Sequence, residues 1–319
     1  MKRQPNAGIR KGEEIDTATR GRYISIFQFI MTAGFPAVSI SSPFLIPAFG
    51  WRFMLILGAA PALFIPFVLM ALPESPRWHA RAGRFAAANK ALLRLGAAPV
   101  DEHLPWINKE EARVPWIALF APEYRTRTIV TSVLWFCGSL ASGAFASWLP
   151  TIYVQIYHLT PRMALSYVAI PGALYLFVPL VFAAIIDAVG RRGPAIFVNG
   201  LAMSCLVALI ILNPTDIPLV VALITTAWVS TAAGNVILWP YTGEIFPTRL
   251  RSTGMGLTMS LARAGSMLTP VLVAGTLKAS GSIRTLFILM AVLLFTATML
   301  WWRCTEETAK KRLEQTAGA

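Results

Sequence analysis

An arginine stands alone in the middle of an otherwise uncharged stretch, Ser252 to Leu277, at position 263. A guanidinium offers a rigid fork of donors to a carboxylate and stays charged at any physiological pH. Holding Arg263 in apolar surroundings is costly unless it faces protein, water or an anion. At helical spacing its neighbours are Gly256, Met259, Ser260, Ser266, Met267 and Pro270, small or adaptable side chains that let a helix or a ligand approach. The arginine therefore binds an organic anion, or it is structural and caps carbonyls or pairs with an acid. Other polar and indole side chains recur within apolar runs at 100° per residue. Ser25, Gln28, Thr32 and Ser39 share one face, Ser132, Trp135, Ser139 and Ser142 a second, and Trp228, Thr231, Asn235 and Trp239 a third. Such stripes point away from lipid, toward a solute pathway or toward neighbouring helices, where hydroxyls serve as interhelical glue.

A second set of ionisable residues borders the apolar runs. Glu74 and Arg77 lie in PESPRWHARAGR, Asp187, Gly190, Arg191 and Arg192 in DAVGRR, and Glu244 and Arg251 in EIFPTRLRSTG. Carboxylates and guanidinia at helix ends form charge-assisted pairs that can latch two bodies together and later release them. Glu244 is placed to pair with Arg191 or Arg192 and with Arg251, and Asp187 to accept from a neighbouring helix N-terminus. Static charges that only fix topology are the alternative. Catalysis finds no comparable set: His79, His103 and His158 have no metal-ligand spacing, and there is no nucleophile elbow or phosphate loop. No cofactor or metal is implied, and the chain does not read as an enzyme. Cys137, Cys205 and Cys304 suggest no disulfide framework.

The elements that must position these residues are membrane helices. Of 319 residues 56% are hydrophobic and 13% charged, half the charged share of soluble domains. Charges cut the chain into eight candidate spans: Tyr23–Trp51, Phe53–Leu72, Thr128 to about Tyr157, Met163–Ile186, Gly193–Thr215, Ile217–Gly243, Ser252–Leu277 and Thr285–Trp302. Backbone groups in hydrocarbon must be satisfied within the segment, so the spans are predicted to be helices. Of the 28 Lys and Arg residues, 23 fall on the side that holds both chain ends and 4 on the other, leaving only Arg263 within a span. Both termini are accordingly expected in the cytoplasm of a multi-pass cell-membrane protein. The formal charge of +13 lies between apolar runs, so the anionic leaflet is the expected partner and nucleic acid is not. Between the second and third spans, Arg84–Gly96 is rich in helix formers and predicts a short amphipathic helix.

Pro73 and Pro76 end the second span, because proline lacks a donor and disfavours helix in the residue before it. PESPRWHARAGR resembles the loop joining the two halves of major facilitator superfamily transporters, in the sugar-porter-like branch, with His79 where leucine is usual. DAVGRR is similar to the loop after the family's eighth helix and EIFPTRLRSTG to the loop after its tenth. With Trp51–Arg52 and Arg20–Arg22, five landmarks fall in family order over about residues 20 to 303.

The resemblance implies an all-α membrane protein of about eight transmembrane helices, corresponding to the family's fifth to twelfth, with the first four absent. The expected organisation is a cytoplasmic segment 1–22, two helices of the N-terminal half in 23–72, an inter-half loop 73–127, a six-helix bundle 128–303 and a tail 304–319. It also implies a secondary transporter of a small organic solute, coupled to protons in its full-length form. The third span, TSVLWFCGSLASGAFASWLPTIYV, lacks the glutamine pair and asparagine of sugar porters. With PTRLRSTGMGL it looks more like the metabolite and organic-ion branch, which favours an organic anion or aromatic acid. A sugar:proton symporter and a non-transporting remnant are the alternatives. Arg263, Gln28, Trp135, Ser139, Asn235 and Trp239 are the expected pathway residues. Glu74, Arg77, Asp187, Gly190, Arg191, Arg192, Glu244 and Arg251 form the expected cytoplasmic gate.

Overall fold

A computed structural model describes residues 17–71, 74, 76, 79, 83–94 and 115–308. Among the described residues eight helices are long and apolar enough to cross a membrane, and they follow the sequence spans closely. The first helix, α1, runs over Thr17–Phe49. The second span is less regular: α2 (Trp51–Ala59) passes into a 3₁₀ turn (Ala60–Phe64) and then α3 (Ile65–Ala71). Pro61 opens that turn, where its missing N–H interrupts the α-helical ladder. The predicted loop helix is α4, Phe85–Arg94; it follows a positive-φ turn at Gly83 and buries Ala88, Ala91 and Leu92 on one face.

Six further helices follow among the described residues: α5 (Arg125–Gln155), α6 (Pro161–Val189), α7 (Arg192–Leu212), α8 (Ile217–Ile245), α9 (Thr248–Ser280) and α10 (Ile283–Arg303). Their boundaries are written in short polar turns. Asn213 ends α7 in the left-handed conformation and Asp216 caps α8 by accepting from the Leu219 amide, so LNPTD both stops and restarts a helix. In the same way Gly281 ends α9 and the Ser282 hydroxyl accepts from the Arg284 amide to start α10. Thr160 caps α6 ahead of Pro161 at its first position.

Internal contacts group the chain into two units, residues 1–28 with 49–113 and residues 29–48 with 114–319. The second unit thus takes in the later part of α1, which the sequence reading had grouped with the second span. Phe35 stands edge-on to Tyr175 of α6 and Trp228 of α8, with ring centroids 6.4 and 5.5 Å away. Ser39 is buried against Gly172. Within this unit α5 packs most extensively on α9 and also touches α6, α8 and α10. Two apolar clusters stack along the bundle. One holds Phe145, Tyr153, Ile224, Trp228 and Met290, and the other Leu134, Trp135, Ile237, Phe246 and Trp301.

Candidate functional site

Between the two apolar clusters lies a polar layer built by α5 and α8. Gly138 lets α8 come close, since a Cβ there would collide with the Asn235 amide. Asn235 uses this approach to donate to the Gly138 carbonyl (3.3 Å) and the Ser142 hydroxyl (3.1 Å). One turn along, the Trp135 indole N–H donates to the Thr242 hydroxyl at 2.9 Å. Trp239 stands edge-on to Trp135 with centroids 5.6 Å apart and leaves 43% of its surface exposed. Trp135, Asn235 and Trp239 are thus brought together, with Ser139 partly buried on α5. Trp135 itself is only 4% exposed, and Trp228 and Thr231 are also buried. Thr231 spends its hydroxyl on the Ala227 carbonyl of its own helix, the packing role that the hydroxyl stripe left open.

Arg263 sits on α9 in a different setting. It is exposed, as are Gly256, Ser260, Ser266, Met267 and Pro270 along the same face. The opposite face carries buried Thr258, Ala262 and Thr269, with Thr269 donating to the Leu140 carbonyl of α5. Among the described residues Arg263 has neither a hydrogen bond nor an ion pair, so the structural alternative of a carbonyl-capping or acid-paired arginine finds no partner there. The side chains of Gln28, Arg77 and Asp187 lie outside the described residues, and Glu74 is exposed.

At one end of the second unit the charged loops form a network. The Arg191 Nη2 lies 2.9 Å from the Glu244 Oε1, an ion pair that joins the start of α7 to the end of α8. Arg191 and Glu244 side chains keep 9% and 25% of their surface. Arg191 Nη1 also donates to the Ile186 carbonyl at the end of α6. Arg192 turns instead to the end of α10 and donates to the carbonyls of Trp301 and Trp302. Glu244 and Arg251, expected to pair, do not. The Glu244 oxygens are taken by Arg191 and by the Thr308 hydroxyl, and Arg251 Nε and Nη2 are buried without a hydrogen-bond partner among the described residues.

One residue of this network escaped the sequence reading. Glu307 accepts from the Arg191 amide (2.9 and 3.1 Å) and from the Arg192 amide (3.0 Å), which places a carboxylate on the N-terminus of α7. This is the helix-end role expected of Asp187. Gly190, with φ +93°, makes room for it, because any Cβ there would strike the Glu307 carboxylate. The available signal was the acidic pair in TEET immediately after the last span.

A family model described as sugar (and other) transporter matches residues 13–318. The chain is 30% identical over 296 residues to the inner membrane metabolite transport protein YgcS of Escherichia coli (strain K12), covering 88% of this chain and 63% of that protein. It is 26% identical over 318 residues to the putative niacin/nicotinamide transporter NiaP of Bacillus subtilis (strain 168), covering 97% and 71%. Among solved structures, the xylose transporter XylE from Escherichia coli in a partially occluded inward open conformation is similar, with a TM-score of 0.66 at 19% identity over 94% of this chain and 67% of that one. The chain therefore spans between about three fifths and three quarters of these relatives' length.

Proposed function

Since this chain belongs to the sugar (and other) transporter family, we propose that it serves secondary transport of a small organic anion, an aromatic or other carboxylic acid, by alternating access. The observation that carries the reading is Arg263, an exposed guanidinium among small side chains on a helix otherwise apolar enough to span a membrane. A carboxylate held by both prongs of the fork supplies the missing counter-charge. In this reading Trp239 and Ser139 offer an indole face and a hydroxyl for the rest of the solute, and Asn235 fixes the spacing of α5 and α8 beside them. The similarity to NiaP, a putative niacin/nicotinamide transporter, and to YgcS, a metabolite transport protein, supports a small metabolite as the solute.

In this proposal Asp187, Gly190, Arg191, Arg192, Glu244 and Arg251, all in the second unit, form the gate on the cytoplasmic side, and both chain ends face the cytoplasm. The asymmetry of Lys and Arg supports the orientation. The Arg191–Glu244 pair supports a bistable rim. Proton coupling belongs to the full transporter. Within the eight described helices that can span a membrane, carboxylates occur only at the ends, at Asp187 and Glu244, so a coupling proton carried here would ride on one of them.

Binding of nicotinate, benzoate and xylose to the purified chain in lipid nanodiscs tests the reading. Nicotinate or benzoate is expected to bind, with Arg263→Ala lowering the affinity about tenfold or more, the worth of a charge-assisted pair. Unchanged carboxylate binding in Arg263→Ala overturns it. Xylose binding without carboxylate binding moves the substrate to the sugars of the family description.

A further inference from the structure

Trp239 is exposed, and what fixes its plane lies behind it. Its own helix holds this turn weakly. Pro240 follows inside α8 and brings no N–H, so the Val236 carbonyl has no amide donor four residues on. The support comes from α5 instead. Trp135 is buried and meets Trp239 edge-on at 86° with ring centroids 5.6 Å apart. The indole N–H is the only hydrogen-bonding group of the Trp135 side chain, and it donates to the Thr242 hydroxyl at 2.9 Å. Thr242 is fully buried, and its own proton goes to the Leu238 carbonyl at 2.6 Å. With its donor spent on its own helix, the hydroxyl meets α5 as an acceptor only. The contacts thus run from Leu238 to Thr242 to Trp135 to Trp239, leaving α8 and returning to it through one residue of α5.

We propose that Thr242 is a positioning residue which, through Trp135, sets the plane of the Trp239 indole and so makes the site prefer aromatic over saturated carboxylic acids. The solute is the organic anion assigned to Arg263, and the selectivity rests on that reading. A guanidinium recognises the carboxylate whatever carries it. An indole face held at a set angle recognises the carrier, because an aromatic ring gains stacked or edge-to-face contacts there that a puckered saturated ring does not. A valine at position 242 keeps the shape and removes the acceptor, which leaves the buried Trp135 N–H without a partner. Trp135 then shifts toward another acceptor, and Trp239 loses its backing.

The positioning has a readout that needs no solute. The full chain carrying 5-fluorotryptophan is placed in lipid nanodiscs, and the fluorine resonances of Trp135 and Trp239 are assigned by their loss in Trp135→Phe and Trp239→Phe. Thr242→Val is expected to move both while the other eight of the ten tryptophans stay in place, which also shows the variant to be folded. Thr242→Ser keeps the hydroxyl and is expected to leave both at their parent positions. Binding of benzoate and cyclohexanecarboxylate, the same charge on a flat and a puckered ring, then reads the selectivity. Thr242→Val is expected to weaken benzoate about fivefold, the worth of one aromatic pairing, and to leave cyclohexanecarboxylate unchanged, whereas Arg263→Ala weakens both acids alike. The proposal is overturned if the Trp239 resonance stays put in Thr242→Val, if Thr242→Ser moves it as far as valine does, or if Thr242→Val weakens both acids equally. Binding of neither acid to the parent chain overturns the organic-anion reading and the selectivity with it, and the solute-free spectra then decide the positioning alone.

Discussion

The polar layer between the apolar clusters and the charged network at the bundle's end distribute their hydrogen bonds differently. In the layer, Thr231 and Thr242 donate to carbonyls of their own helix, and Asn235 and Trp135 make the bonds that cross between α5 and α8. At the charged end nearly every bond crosses: Arg191 to Glu244, Arg192 to the end of α10, Glu307 to the start of α7. Bonds within one helix survive any rigid-body movement. Bonds between helix ends near water can be exchanged for solvent and remade. The layer is therefore suited to fixed geometry around a solute, and the charged end to a contact that opens.

Substitutions can break or sharpen that contrast. The largest expected effect is Arg191→Leu, which leaves Glu244 partly buried without its cation and removes one of the two donors to the Ile186 carbonyl, the Gly190 amide remaining. A loss of about 3 kcal/mol is expected, read from thermal unfolding in detergent, with partial recovery in the Arg191→Leu, Glu244→Leu double variant. Gly138→Leu follows, expected to cost about 2 kcal/mol by overpacking α5 against Asn235. The same melt measures it, and an unchanged midpoint would show that α5 and α8 separate freely. Asn235→Ala removes the crossing amide and is expected to cost about 1 kcal/mol, with no dependence on salt. Raising salt to about 1 M, where screening acts within about 3 Å, is expected to shrink the Arg191→Leu effect while leaving that of Asn235→Ala intact. Thr231→Val is expected to stay within about 0.5 kcal/mol of the parent, because only a bond to its own helix is lost.

The helices were legible because hydrocarbon leaves the backbone no other partner and charges, Arg263 apart, fall at the span boundaries. Asn213 and Gly281 end their helices in the left-handed conformation, so α7 stops short of the span boundary that the charges set at Thr215. The Arg191–Glu244 pair was legible as a choice between two arginines; in the fold Arg191 takes Glu244 and Arg192 donates to carbonyls at the end of α10. Glu307 was not legible, since its role depends on α10 ending beside the start of α7, a tertiary fact that no local spacing encodes. Periodicity likewise grouped Trp135 and Trp228 with pathway residues. A shared helix face states which side chains go together, and only packing decides whether that face meets a neighbour or open space. Arg251 is not a partner of Glu244, whose oxygens accept from Arg191 and Thr308 instead.

Arg263 also bears on the electrical properties of the bilayer around this chain. Fifteen residues separate it from the start of α9 and seventeen from the end, so at 1.5 Å per residue it stands about 22 Å from one terminus and 25 Å from the other. The hydrocarbon is only ~30 Å thick, so α9 overhangs it and a residue near mid-span lies at most about 15 Å from either interface, still beyond the reach of an arginine stem. Wherever that face of α9 is not covered by polypeptide, headgroups and solvent must come to the cation, and the insulating slab thins around it. The occupant of that face, solute or helix, is thus also what keeps the membrane sealed.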